Sequence, residues 1–369
     1  MDARCHHILS KNRDIAVGHA LIDDFDLAPG VVCDAKTVVQ SPNWSLYSLD
    51  FTNYVGVFVE LPPNLDLGQS AFMYQAQFEN AVRVLTVPFA QMIALAETLV
   101  RPDNLTFLLS TGRCGSTLAS RILANIPEVW SVSEPDVFTL LAFHRSELPV
   151  DLMQDLLIAC TRLLFRPAHG QDIHSFVIKP RSEAVMISDH LQKALPDTRY
   201  VFLYRDVGAY ANSMHRFLQR IFQVEEPQLD EAYFELLWRI SSIASPVEEI
   251  PVWFPDGYVA VEHDDFLALG WTFRMKAAQK LIATGRRVAP IHYADLVTNR
   301  RDETTRLLNA CGVGADRIET ALLGFEMDAH TGTIGENRVP ATPMSTERIK
   351  RLEQQVTAWG MPTFKQERL

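Results

Sequence analysis

The chain has 369 residues, 47% of them hydrophobic and 21% charged, with a formal net charge of −11. That length supports a large buried core, and the acidic balance argues against a general nucleic-acid binder, which carries a basic face. Five scattered cysteines without a CxxC pair give neither a disulfide framework nor a zinc knuckle, and no run of ~18 apolar residues marks a membrane span. With no signal-peptide core at the N-terminus, the sequence reads as a soluble cytoplasmic protein with reduced thiols.

In chain order, residues 1–100 read as a small α+β extension. Cys5-His6-His7 reads as a frayed N-terminus rather than a metal site. Between Val38 and Leu61, Trp44, Tyr47, Phe51, Tyr54, Val55, Val57, Phe58 and Val59 crowd together, ahead of Pro62-Pro63. This predicts two short strands with a turn near Thr52-Asn53. Phe72 to Val100 reads as helical, interrupted at Pro88.

From Leu105 the pattern becomes strand–helix alternation, the mark of a parallel sheet covered by helices on both faces. The strand Leu105–Leu109 runs into Ser-Thr-Gly-Arg-Cys-Gly-Ser-Thr and then directly into a helix with Leu118, Ile122, Leu123 and Ile126 on one face. Small residues between a strand and a helix N-terminus make a phosphate cradle, with main-chain N–H groups turned toward an anion. An ATP- or GTP-cleaving loop carries lysine before its Ser/Thr; here Arg113 is the only cation of the loop. Another phosphate-bearing donor is implied.

A second strand, Phe176–Ile178, ends in Lys179-Pro180-Arg181, and Ser182 is placed to cap a helix carrying Ile187, Leu191 and Leu195. A third, Tyr200–Tyr204, ends in Arg205-Asp206 and leads into a helix with Val207, Tyr210, Ala211, Met214 and Leu218 on one face. The basic residues follow strand carboxyl ends, where open parallel sheets bind ligands. The stretch of about 220–270 reads as an insertion, and Trp238, Trp253, Phe254 and Trp271 suit either a lid or packing. Glu262-His263-Asp264-Asp265 reads as a solvated loop, and Arg286-Arg287 and Arg300-Arg301 as surface charges. Val288–Leu308 returns to strand and helix. A Thr/Gly/Pro-rich loop then precedes a charged helix, Ser345–Trp359, in a C-terminal tail of 346–369.

Three stretches together resemble the 3′-phosphoadenosine 5′-phosphosulfate (PAPS) dependent sulfotransferases, and most of all the tyrosylprotein branch. Thr111–Leu118 is similar to the family's 5′-phosphosulfate loop. Tyr200–Ser213 is similar to its 3′-phosphate motif, with Ser213 eight residues after Arg205. Ile291–Val297 is similar to a later strand-to-helix segment, with Asp295 shifted from the family's glutamate. The resemblance covers roughly 104–315, inside a P-loop-type domain of 101–345.

The resemblance implies a donor site of Arg113, Cys114, Gly115, Ser116, Thr117, Arg205 and Ser213, holding PAPS and releasing 3′-phosphoadenosine 5′-phosphate (PAP). It also implies transfer to a hydroxyl acceptor without a metal. Sulfuryl transfer needs positioning and cations against the leaving phosphate, roles that fall to Arg113 and Lys179. A hydroxyl acceptor needs a base. Glu134, seventeen residues after Thr117, stands where the tyrosylprotein enzymes place theirs; Asp136, His144 and His174 are rivals. Cys114 departs from the family's hydroxyl residue and is either a filler or an oxidisable thiol. The family's Gly-rich closing loop has only His330–Arg338 as a candidate, ending in Arg338, so adenine contacts stay open. A small-molecule kinase on a variant loop, and a non-catalytic nucleotide-binding or scaffolding protein, are the other readings. The acceptor, a small molecule or another hydroxyl-bearing partner, and the oligomeric state are not legible.

Overall fold

Alternation of apolar residues builds two sheets, and their shared core fixes where the candidate site lies. The structure is a computed structural model describing residues 2–13, 18–63, 65–168, 172–222, 262–326 and 341–369. The predicted insertion's Trp238, Trp253 and Phe254, and the candidate loop ending in Arg338, lie outside the described residues.

The first sheet is antiparallel. Its strands are β1 (Arg4–Lys11), β2 (Phe25–Leu27), β3 (Val31–Val32), β4 (Trp44–Asp50), β5 (Val55–Glu60) and β6 (Arg83–Pro88), in the order β2-β1-β6-β5-β4 with β3 beside β1. The β4–β5 hairpin is the predicted one. Its turn is held by the Asp50 carboxylate, which accepts the N–H groups of Thr52 at 2.9 Å and Asn53 at 3.0 Å, a local bond that favours Asp at such corners.

Two expectations fail here. Cys5-His6-His7 is not frayed but lies inside β1, paired with Val84–Leu85 and Arg83 of β6. The stretch from Phe72 is not one interrupted helix: β6 separates the helices Met73–Asn80 and Phe89–Glu97. A short apolar run such as Val84–Val87 fits strand or helix by pattern alone, and pairing with β1 and β5 decides it. Trp44, Tyr47 and Phe58 are buried in the core, so these aromatics serve packing.

The second sheet is parallel, in the order β11-β10-β7-β9-β8. It comprises β7 (Leu105–Ser110), β8 (Val129–Ser133), β9 (Ser175–Lys179), β10 (Arg199–Tyr204) and β11 (Val288–His292). β8 was not predicted. Side chains alternate between two cores. Phe107, Phe176, Ile178, Tyr200, Phe202 and Tyr204 face one cluster, while Leu108, Val177, Val201 and Leu203 face the other. The first cluster continues into the antiparallel sheet through Trp44, Val57 and Phe58 and takes in the helices Val150–Phe165 and His263–Ala283. The second is covered by the helices Ser116–Ala124 and Arg300–Ala310. The fold is α/β, a parallel sheet flanked by helices on both faces, and that double coverage explains the nearly unbroken apolar strands.

Two further differences concern helix ends, and one the body of a helix. Ser182 caps nothing: its hydroxyl donates to Glu183 Oε1 at 3.1 Å, inside a 3₁₀ turn, Ser182–Ile187, that precedes the helix Ser188–Ala194. Glu262–Asp265 is the start of a 21-residue helix, with Asp264 buried on Arg348 at 2.8 Å, not a solvated loop. That helix carries Trp271 into the core, fully buried, so Trp271 belongs to packing rather than to a lid. The predicted C-terminal helix spans Thr346–Ala358, with the Ser345 hydroxyl accepting from the Arg348 N–H. Among the described residues no helix is long and apolar enough to cross a membrane.

Candidate active site

Five strand ends meet along one edge of the parallel sheet. The chain passes from β7 outward to β8 and back through β9, then to β10 and β11 on the other side. The loop after β7 therefore sits at the point where the strand order reverses, which is where open parallel sheets bind ligands.

In that loop Gly112, Arg113 and Gly115 all have positive φ, at 79°, 50° and 79°. Successive turns of this kind point main-chain N–H groups inward as an anion nest. Gly115 is the N-cap of Ser116–Ala124, so the N–H groups of Ser116 and Thr117 have no preceding turn to bond. A side chain at Gly115 would meet the Tyr293 ring at 2.5 Å; only glycine fits both the conformation and the contact. The Arg113 guanidinium lies 4.6 Å from the Phe217 ring, and its Nε is buried without a hydrogen-bond partner. Burial pulls Arg113 down to about 10, with Arg220 and Arg205 adding like charge and Glu134 opposing. It stays cationic at neutral pH, and a half-buried cation whose buried Nε is an unused donor beside an amide nest fits a phosphate.

Arg205 converges on the same loop. Its Nη1 donates to the Arg113 carbonyl at 3.3 Å, and its guanidinium lies 4.6 Å from the Tyr293 ring. Trp271 Nε1 donates to the Arg205 carbonyl at 2.9 Å and fixes the end of β10. Ser213 is half-buried on the helix Val207–Phe222. It precedes Phe217, whose ring packs on Arg113, by one helical turn. Cys114 contributes no thiol to the cleft. Its Sγ is fully buried and donates to the Leu203 carbonyl at 3.3 Å, and burial raises its pKa against hydrogen bonds from Thr111 and Ser110. Only its main chain belongs to the loop.

The neighbouring strand ends carry the other half. Glu134 follows β8 in a left-handed conformation, φ 57°, held by its N–H donating to the Lys179 carbonyl at 2.6 Å. Lys179, the last residue of β9, is 2% exposed and donates through Nζ to Glu134 Oε1 at 2.5 Å. The rivals are engaged by other partners. Asp136 is wholly buried, with both oxygens on Arg181 at 2.6 and 3.0 Å. His174 precedes β9, at the opposite edge of the sheet from Lys179, beside Asp172 at 3.0 Å. His144 sits past a helix end, paired with Glu147 at 2.7 Å.

The predicted residues Arg113, Gly115, Ser116 and Thr117 thus lie on the loop after β7 and the helix start it leads into, Arg205 bonds to that loop, and Glu134 and Lys179 form a bonded pair at neighbouring strand ends. Tyr293, Trp271, Phe217 and Arg181 also stand here, although the sequence marked none of them as a site residue. Tyr293 had a signal, since it lies in the Ile291–Val297 segment. Asp295, the residue that segment put forward, instead binds Arg368 at 2.7 and 2.9 Å. Among the described residues no cluster of three or more His, Cys, Asp or Glu is arranged to hold a metal ion.

No protein-family model matches the chain, and no curated protein matches it. Among solved structures it is similar to the sulfotransferase domain from the curacin biosynthetic pathway, at 14% identity over 70% of this chain and 99% of that one, with a TM-score of 0.41. A sulfotransferase from Alicyclobacillus acidocaldarius matches at 14% identity over 71% and 96%, TM-score 0.41. Retinol dehydratase, solved with androsterone and inactive cofactor PAP, matches at 12% identity over 76% and 87%, TM-score 0.36. Likenesses at this level assign no chemistry to this chain.

Proposed function

We propose that this protein is a sulfotransferase that moves the sulfuryl group of PAPS to a hydroxyl acceptor. The observation that supports it most is the convergence of a lysine-free phosphate loop and Arg205 at one switch point, with Glu134 and Lys179 at the two strand ends beside it. Two cationic stations on one cleft suit a donor with phosphates at both ends of its ribose.

PAPS supplies a sulfuryl group on a good leaving phosphate. The amides of Gly115, Ser116 and Thr117, with Arg113, would hold the 5′-phosphate, and Arg205 with Ser213 the 3′-phosphate. Lys179 has three N–H donors and spends one on Glu134; another can face the oxygen on which charge develops. Glu134 takes the acceptor's proton as the new bond forms. Burial of Lys179 strengthens these interactions relative to water.

A ligand at free concentration L that binds only the native state stabilises it by RT ln(1 + L/Kd), about 2.7 kcal/mol at a hundredfold excess over Kd, and so raises the melting temperature. PAP is therefore expected to raise the Tm and Mg-ATP to leave it unchanged. Equal or better protection by Mg-ATP would move the assignment to a kinase.

A further inference from the structure

Two residues beyond Glu134 and two beyond Lys179 stands a second ion pair, which spacing alone did not single out. The Asp136 side chain is fully buried and Arg181 nearly so. Arg181 grips Asp136 with two bonds, Nε at 2.6 Å and Nη2 at 3.0 Å. Its Nη2 also donates to the Gly18 carbonyl at 2.9 Å, and Asp136 Oδ2 accepts the Ala20 N–H at 2.8 Å. The guanidinium lies 4.3 Å from the Tyr74 ring. Its Nε is also 4.0 Å from Glu134 Oε2, the oxygen Lys179 does not bind. Arg181 thus joins the Gly18–Ala20 segment, in the connection between β1 and β2, and Tyr74 to the loop that carries Glu134.

The Glu134 backbone occupies a conformation that non-glycine residues adopt only when their surroundings hold them there. Lys179 holds one carboxylate oxygen and the Glu134 N–H; Arg181 stands at the other oxygen. We propose that Arg181, braced by Asp136, is a positioning residue for Glu134. By the same pair, the Gly18–Ala20 segment becomes part of the acceptor side of the site. This rests on Glu134 being the base of the sulfuryl transfer proposed above.

Hydrogen–deuterium exchange on the full-length chain tests it without an acceptor. Arg181→Met leaves Asp136 buried and unpaired, which endangers the fold. The informative variants are Arg181→Lys, which keeps the charge and loses the fork, and the double variant Asp136→Asn/Arg181→Gln, which keeps polar contacts without charges. The double variant should speed exchange at least tenfold in peptides covering both Glu134 and Ala20. Arg181→Lys, which leaves a cation beside Asp136 and Asp136 on the Ala20 N–H, should keep both peptides close to wild-type protection. PAP affinity should stay within twofold in both, because the pair stands on the β8 and β9 side. Fast exchange at Ala20 with unchanged protection at Glu134 in the double variant would overturn the proposal, leaving only a structural strap. Failure of the wild type to bind PAP would instead refute the sulfuryl-transfer reading and leave the exchange result standing.

Discussion

At the residue scale, the charges at the sheet edge are arranged for use rather than for stability. Lys179 on Glu134 is a buried pair, and such pairs contribute little net stability although breaking one costs several kcal/mol. Glu134→Gln keeps an oxygen for Lys179 and removes the proton acceptor. Turnover is expected to fall by about 10²–10⁴-fold with PAP affinity nearly intact, read by single-turnover transfer from labelled PAPS and by titration. An unchanged rate would mean that another group takes the proton. Arg113, Lys179 and Arg205 stood out as site candidates because each follows a recognisable apolar strand, whereas Glu134 was put forward by the family resemblance alone. The pairing of Arg181 with Asp136 had no sequence signal, because it is braced by Gly18 and Ala20, more than a hundred residues away.

At the scale of elements, the loop after β7 was readable from glycine spacing, but what leans on it was not. Tyr293 arrives from the end of β11 and covers Gly115, with Arg205 on its ring. A methyl group at Gly115 would meet that ring and hold the wrong side of φ space. Gly115→Ala should therefore cost about 1–2 kcal/mol for the backbone alone, with a further loss from displacing Tyr293. Chemical denaturation should report the stability loss, and titration should report weaker PAP binding. Full stability and affinity in this variant would contradict the packing described. β6 and β8 are short runs whose pattern fits strand or other structure alike, and only the neighbouring strands identify them.

At the scale of the whole molecule, buried titratable groups tie distant helices together and make stability depend on pH. His263, at the start of its long helix and 5.9 Å from the His215 ring, is brought down to about 4 by burial. His215 and Arg348 add to that effect and Asp264 opposes it. Its folded pKa lies below the ordinary value, so nothing is lost above pH 6.5. As pH falls from 6.5 toward 4 the unfolded chain takes the proton and the folded one does not, and stability drops by an amount on the order of 2–3 kcal/mol. Glu183 acts in the same direction in a lower window. Burial would raise its pKa, but Arg274 at 2.6 Å outweighs it and holds it low. Its contribution is present above the unfolded carboxylate pKa and is lost as pH falls through the folded one. Thermal melts from pH 7.5 to 4 should show the first decline in wild type and a flatter course in His263→Gln; identical slopes would exclude His263 as the source.

The central claim is that one mononucleotide spans the loop after β7 and Arg205. Calorimetric titration of PAP and of AMP, which lacks the 3′-phosphate, into wild type and Arg205→Ala tests it most directly. A charge-assisted bond of about 1.5–3 kcal/mol predicts that the variant loses about 10- to 150-fold in PAP affinity while AMP affinity holds. Wild-type affinity for PAP in Arg205→Ala, or equal binding of PAP and AMP by the wild type, would contradict it.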